Sequence, residues 1–309
     1  MSDPSHEGIA ALIIRGQPSF RDVLLATRGS ILPQIARPLL CLIVVSIGAV
    51  IVAHLRPELL SGLAAMPFTL VGLSLSIFMS FRNTSCYDRW WEGRKLWGQL
   101  IIAGRSFARQ VAALPLEQRA PLLEGLSGFA RGLAARLRGT DEIAALTAHV
   151  PMGDWAAAPN PTDAVLAMIG LRCRALVERG TIDPIHYSVL ETQLTELSHV
   201  QGGCERIKNT PLPFSYSLLL HRTAYVFCLL LPFALAPSLG WWAPLPTFLV
   251  GYAFFGLDAL SDELSDPFGL DPNDLPLDSI VRTVERELLH AAGHRELPPE
   301  LVAKGFILT

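Results

Sequence analysis

The apolar positions of this chain fall into long uncharged runs at its two ends and into a helical rhythm through its middle. Residues 38–53 and 67–81 contain no Asp, Glu, Lys or Arg, and neither does the interval 223–257. Between them, from about 82 to 210, charges are spread throughout and the apolar residues return every three or four positions, the period of an α-helix with one buried face. These runs predict four membrane helices, over about 38–55, 66–82, 217–237 and 241–258, against the roughly 20 residues a bilayer requires. The second is short: its 15 uncharged residues rise only about 22 Å as a helix. It spans a bilayer only by continuing into its charged end or by being shielded by protein. No proline or glycine interrupts residues 73–91, so one helix is expected to run from an apolar face straight into Arg82, Asp88 and Arg89.

The middle reads as further helices. Apolar spacing continues through about 87–113 and again over 116–138, between Pro115 and Gly139. Thr140-Asp141 and Thr162-Asp163 look like helix N-caps, 151–161 like a loop, and 279–292 like a last helix. No strand-like alternation or repeat stands out. The expected class is an all-α membrane protein with a helical cytosolic region. Its expected parts are an N-terminal cytosolic segment 1–37, membrane helices within 38–82, a cytosolic domain 83–212, membrane helices within 213–258, and an acidic turn with a C-terminal helix over 259–309.

Composition sharpens this. Charged residues make up 17% of the chain against about 25% in soluble domains, and the net charge of −3 does not favour nucleic acid. Five scattered cysteines include no C-x-x-C pair and suggest neither a disulfide framework nor a zinc site. The basic residues lie before the first run (Arg15, Arg21, Arg28, Arg37) and after the second (Arg82, Arg89, Arg94, Lys95), while the turn around Trp241 and Trp242 has none. By the positive-inside rule both termini and the middle face the cytoplasm, in a multi-pass protein of the inner (plasma) membrane.

Two stripes share the second run. Leu73, Ile77 and Phe81 recur every four residues, and Gly72, Ser76 and Ser80 lie one residue round. The small stripe lets helix backbones approach, which an ordinary membrane helix also uses. The sharper reading is a helix packed against copies of itself, with the aliphatic stripe as a constriction that gates by dewetting. Val71, Leu75, Phe78 and Met79 fall to the other side, facing lipid or a neighbouring span. Arg222, near the start of the third run, is expected to pair with Asp258, Asp262 or Glu263, with snorkelling to the interface as the alternative. Trp90, Trp91 and Trp97 suit a subunit interface better than base stacking. His199, Cys204 and Glu205 are poorly spaced for a metal, and no catalytic constellation appears, so an enzyme is not expected.

Three motifs in order resemble the bestrophins, in particular their bacterial homologues: FRNTSCYDRWWEGRKLWGQL after the second run, SHVQGGCERIKNTPLPFSY before the third, and DELSDPFG with NDLPLD after the fourth. The resemblance implies a homopentamer with four membrane helices per subunit around one five-fold pore. It assigns the pore neck to Leu73, Ile77 and Phe81, and a cytosolic aperture to Ile185. It implies passive conduction of small monovalent ions: anions by analogy with the family at large, sodium about equally from the bacterial subgroup. Eukaryotic bestrophins hold calcium at positions matching Glu263, Asp266, Asp271 and Asp274. Pro272 departs from their acidic run, so a solvated acidic turn without any required cofactor is the favoured reading. The alternative function is a membrane-anchored sensor or enzyme whose cytosolic helices bind a ligand.

Overall fold

The computed structural model describes residues 12–13, 30–60, 62, 65–302 and 307–308. Arg15, Arg21 and Arg28, and with them most of the expected N-terminal segment, lie outside these residues. Among the described residues the regular structure is helical apart from a two-residue antiparallel ladder, β1 (Leu12–Ile13) with β2 (Ile307–Leu308), which the sequence did not announce. The helices are α1 (Leu32–Leu55), α2 (Pro57–Leu60), α3 (Ala65–Val111), α4 (Leu116–Arg138), α5 (Glu142–Thr147), α6 (Pro161–Glu178), α7 (Pro184–Asn209), α8 (Phe214–Leu239), α9 (Pro244–Ser265) and α10 (Leu277–Ala291).

The absence of proline and glycine from residues 73–91 has its expected result. The second run and the charged segment behind it form one helix of 47 residues, α3. Other boundaries follow their punctuation. Helix α4 ends at Arg138 because Gly139 takes φ 67°, a left-handed conformation that a side chain would oppose. Asp141 caps α5 by accepting from the Ala144 amide. The second cap differs from the expectation. Asn160, not Thr162 or Asp163, caps α6, because Pro161 takes the first helical position and the Asn160 side chain then accepts from the Asp163 amide. Thr162 is buried instead, and its hydroxyl donates to Glu142 Oε1 at 2.6 Å.

The chain divides into two compact units. One comprises residues 16–89 and 211–265 and holds α1, the first part of α3, α8 and α9. Its core joins Ile35, Leu39 and Leu42 of α1 to Leu75 and Met79 of α3, Leu220, Ala224 and Phe227 of α8, and Phe254 and Phe255 of α9. Among the described residues, Leu32–Leu55 and Phe214–Trp242 are long and apolar enough to cross a membrane. Helix α9, at 22 residues, has the length but carries Asp258, Asp262 and Glu263 in its last two turns.

The other unit comprises residues 1–15, 90–210 and 266–309. Its core is built on Trp97, Leu100 and Phe107 of α3, Leu123, Phe129 and Leu133 of α4, Ile169 of α6, Leu190 and Leu197 of α7, and Val284 and Leu288 of α10. Beside it, Glu285 is buried and accepts at one oxygen from Arg131 Nη1 (2.8 Å) and lies 2.7 Å from His149 Nε2. Arg282 Nε sits 2.9 Å from the other oxygen. Burial alone raises a carboxylate pKa, but the hydrogen bond to His149 and the Arg131 charge outweigh it and hold Glu285 at about 2.

Candidate functional site

The first turns of α3 carry one buried stripe. Leu75, Met79, Arg82 and Cys86 repeat at four, three and four residues, and all four are buried against the rest of their unit. Diametrically across the helix lie Leu73, Ile77 and Phe81, exposed by 62%, 49% and 61%, whereas Leu75 and Met79 are at 3% and 0%. Of the four residues expected to face lipid or a neighbouring span, Leu75 and Met79 pack within their unit, and Val71 and Phe78 are exposed. An exposed row of large aliphatic and aromatic side chains disfavours water unless lipid or another protein surface covers it.

The small stripe is divided. Gly72 lies against α8 of the same chain: a Cβ at this position would sit 2.9 Å from Cζ of Phe227, so a larger residue would have to displace the ring. Ser76 and Ser80 are exposed, and the Ser76 hydroxyl donates back to the Gly72 carbonyl at 2.8 Å. That back-bond satisfies the hydroxyl without a second helix.

An ion-pair cluster closes the buried stripe, and here sequence reasoning named the wrong base. Arg82 Nη1 donates to Asp258 Oδ1 at 2.6 Å, and Nη2 to Asp262 Oδ1 at 2.5 Å. His221 Nδ1 lies 2.5 Å from Asp258 Oδ2, and its ring packs 4.4 Å from that of Tyr225. Glu263 accepts from Gln34 Nε2 at 2.6 Å. Arg222 pairs with none of the three acids offered to it, and Asp258 is met instead by Arg82 and His221. The missed signal was local. Arg82 stands in register with the buried stripe, three residues after Met79, and a buried guanidinium needs carboxylates.

The remaining candidates are placed as follows. Ile185 lies in the first turn of α7 and is 78% exposed. Asp266 pairs with Lys208 Nζ at 2.7 Å, and Asp274 Oδ2 accepts from the Asp271 amide at 2.7 Å, which closes the turn that Pro272 begins. Among the described residues no group of three or more His, Cys, Asp or Glu side chains is placed to share a metal ion. Cys204 is buried with its thiol pushed up to about 12, chiefly by burial, while His199 is exposed. Glu205 instead accepts from Arg136 Nε (2.8 Å) and Asn160 Nδ2 (3.1 Å).

The comparisons with known proteins bear on this arrangement. The family profile of bacterial and fungal bestrophin proteins matches residues 12–290. The chain belongs to the bestrophin family. A protein of Mesorhizobium japonicum called a voltage-dependent anion channel-forming protein is 45% identical over 299 residues, covering 94% of this chain and 95% of its own. The Escherichia coli protein YneE, which carries the same description, is 36% identical over 296 residues, covering 94% of this chain and 97% of its own. Among solved structures, the bacterial bestrophin homolog of Klebsiella pneumoniae superposes with a TM-score of 0.81 at 38% identity, covering 85% of this chain and 100% of that one.

Proposed function

We propose that this bestrophin is the subunit of a homopentameric channel that passes small monovalent anions passively across the inner membrane. The observation that carries the reading is the geometry of α3. Its uncharged row Leu73, Ile77 and Phe81 is exposed on the side opposite the buried stripe, as a residue row facing a shared axis must be. The anion-channel descriptions of two relatives supply the class of permeant ion.

In this reading the spans are α1, the first part of α3, α8 and α9. The three full-length ones have 24, 26 and 22 residues, about 33 to 39 Å at 1.5 Å per residue, enough for a hydrocarbon core of about 30 Å. The Leu73, Ile77 and Phe81 row of α3 is then screened from lipid by copies of itself, and both termini, with the unit that contains α4–α7 and α10, face the cytoplasm. Five Ile77 side chains around an axis offer an ion no hydrogen-bond partner, so passage requires a partly stripped hydration shell or re-wetting of the constriction. Ring edges of Phe81 present partial positive charge, which an anion tolerates better than a cation. Ile185 forms a second apolar ring at the cytosolic exit. The ions are carried and nothing is transformed, so no catalytic group is needed.

The test is reconstitution of purified protein into planar bilayers under a sodium chloride gradient, with oligomer mass measured on the same preparation. Single-channel steps reversing near the chloride potential from a pentamer are expected. Reversal near the sodium potential would reassign the ion. Turnover or ligand binding without conductance would replace the channel with a membrane-anchored enzyme or sensor.

A further inference from the structure

Arg222 was expected to meet a carboxylate, and the structure leaves it none. Asp258 is held by Arg82 and His221, Asp262 by Arg82, and Glu263 by Gln34. Arg222 is exposed and makes no ion pair with any described residue. Its side chain borders a groove of about 430 Å³ between α3 and α8, whose walls include Phe68 and Val71 on one side and Val226, Phe227 and Leu230 on the other. From Arg222 to Leu230 the groove follows α8 for about 12 Å. The surface around it is apolar too, with Leu70, Leu219 and Leu229 exposed.

We propose that this groove holds an acyl chain of an anionic phospholipid from the surrounding bilayer, with its phosphate on Arg222. Charge complementarity selects the occupant. A single cation at one end of an apolar trough matches an amphiphile whose head carries net negative charge, whereas the phosphate of a zwitterionic head is already offset by its own ammonium. A soluble anion would use Arg222 but not the trough, and an uncharged lipid would fill the trough but not use Arg222. The occupied groove also bears on the neck. The Phe227 ring that lines it is the one seated against Gly72, the residue before Leu73, so a bound chain braces the neck segment of α3 against α8.

The inference rests on the membrane reading, and its assay is separate from conduction. Full-length protein is reconstituted in nanodiscs of equal phosphatidylcholine and phosphatidylglycerol, and retained lipid is counted by native mass spectrometry, which also reports the oligomer. Wild type is expected to retain phosphatidylglycerol over phosphatidylcholine by about fivefold, the factor that ~1 kcal/mol per basic residue corresponds to. Arg222→Gln should bring that ratio to about one and Arg222→Lys should keep most of it, since only the net charge is needed for the preference. Val226→Trp should fill the trough and release both lipids from an intact oligomer. Equal retention by wild type, or a preference that survives Arg222→Gln, would overturn the proposal. So would dissociation of the oligomer by Val226→Trp with lipid retention unchanged, because a neighbouring subunit would then be what covers the groove. Chloride efflux from vesicles of the same two compositions gives the second readout. Wild-type efflux should rise with phosphatidylglycerol and Arg222→Gln efflux should not. Absence of efflux in every mixture would remove the channel reading and leave the lipid count to decide this one.

Discussion

Arg82 and Asp258, 176 residues apart in sequence, meet as a buried ion pair with 2.6 Å between Nη1 and Oδ1. The pair ties the far end of the buried stripe of α3 to α9, and Asp262, one turn further along α9, takes the second arm of the same guanidinium. Removing one member leaves a buried charge without its counter-charge. Arg82→Gln is therefore expected to destabilise the protein by about 3–5 kcal/mol, whereas a paired apolar replacement of Arg82 and Asp258 should recover much of the loss. Thermal unfolding in detergent checks both. A double variant no more stable than the single one would show that the charges themselves, rather than their mutual neutralisation, are required.

The two faces of α3 predict different phenotypes. Ile77→Ala removes bulk from an exposed row and should raise conductance or open probability with little change in unfolding temperature. Ile77→Phe should shift permeability further towards anions. Leu75→Ala and Met79→Ala, in the packed core, should each destabilise by about 2–5 kcal/mol and leave ion selectivity as it is. Recording all four under one sodium chloride gradient decides the matter. Control of permeation by Leu75 or Met79 would mean the pore face is wrongly assigned.

Glu285 gives the other unit an acid-sensitive anchor. Its folded pKa of about 2 lies below the ordinary 4.5, so its contribution to stability is fully present above about 4.5 and is lost as pH falls towards about 2. Wild type should lose stability through that window. Glu285→Gln should start less stable at neutral pH, by about 3 kcal/mol, and show a flatter acid limb. Unfolding temperature as a function of pH, with both proteins in one buffer series, measures the difference.

The acidic turn is expected to work without calcium. Asp266 is engaged by Lys208, and Asp274 closes its own turn by accepting from the Asp271 amide. Conductance should be unchanged when calcium is chelated. Asp274→Ala should loosen the turn, by about 1 kcal/mol for one lost side-chain-to-backbone hydrogen bond, without creating any calcium dependence. A micromolar calcium response abolished by Asp271→Ala and Asp274→Ala would restore the clasp.

Local chemistry was legible in the sequence and long-range pairing was not. Helix α4 could be bounded from Pro115 and Gly139 alone, because one residue lacks an amide hydrogen and the other tolerates a left-handed backbone. The unbroken course of α3 followed from the lack of a breaker between residues 73 and 91. The N-cap of α6 was misplaced by two or three residues because Thr162 and Asp163 are also good capping residues, and only the Pro161 ring decides between them and Asn160. Depth along the chain does not distinguish Arg82 from Arg222 as the base that meets Asp258. Which of them reaches the acid depends on the rotation of α3 and α8, and that is fixed by the packing of Leu75, Met79, Ala224 and Phe227. The two-residue ladder between β1 and β2 is too short to leave any alternation in sequence.

The distribution of thiols has a practical consequence. Cys86, Cys173, Cys204 and Cys228 are buried and only Cys41 is exposed, on the apolar helix α1. Burial also keeps the thiols of Cys173 and Cys204 protonated, at about 12. The native chain should thus be silent towards charged maleimides that cannot enter a bilayer. A cysteine placed beside Trp241 or in the loop before Pro161 would be a lone chemical reporter, read against an empty background without first engineering a cysteine-free protein. Labelling of intact cells against opened ones would then say on which side of the membrane each loop lies.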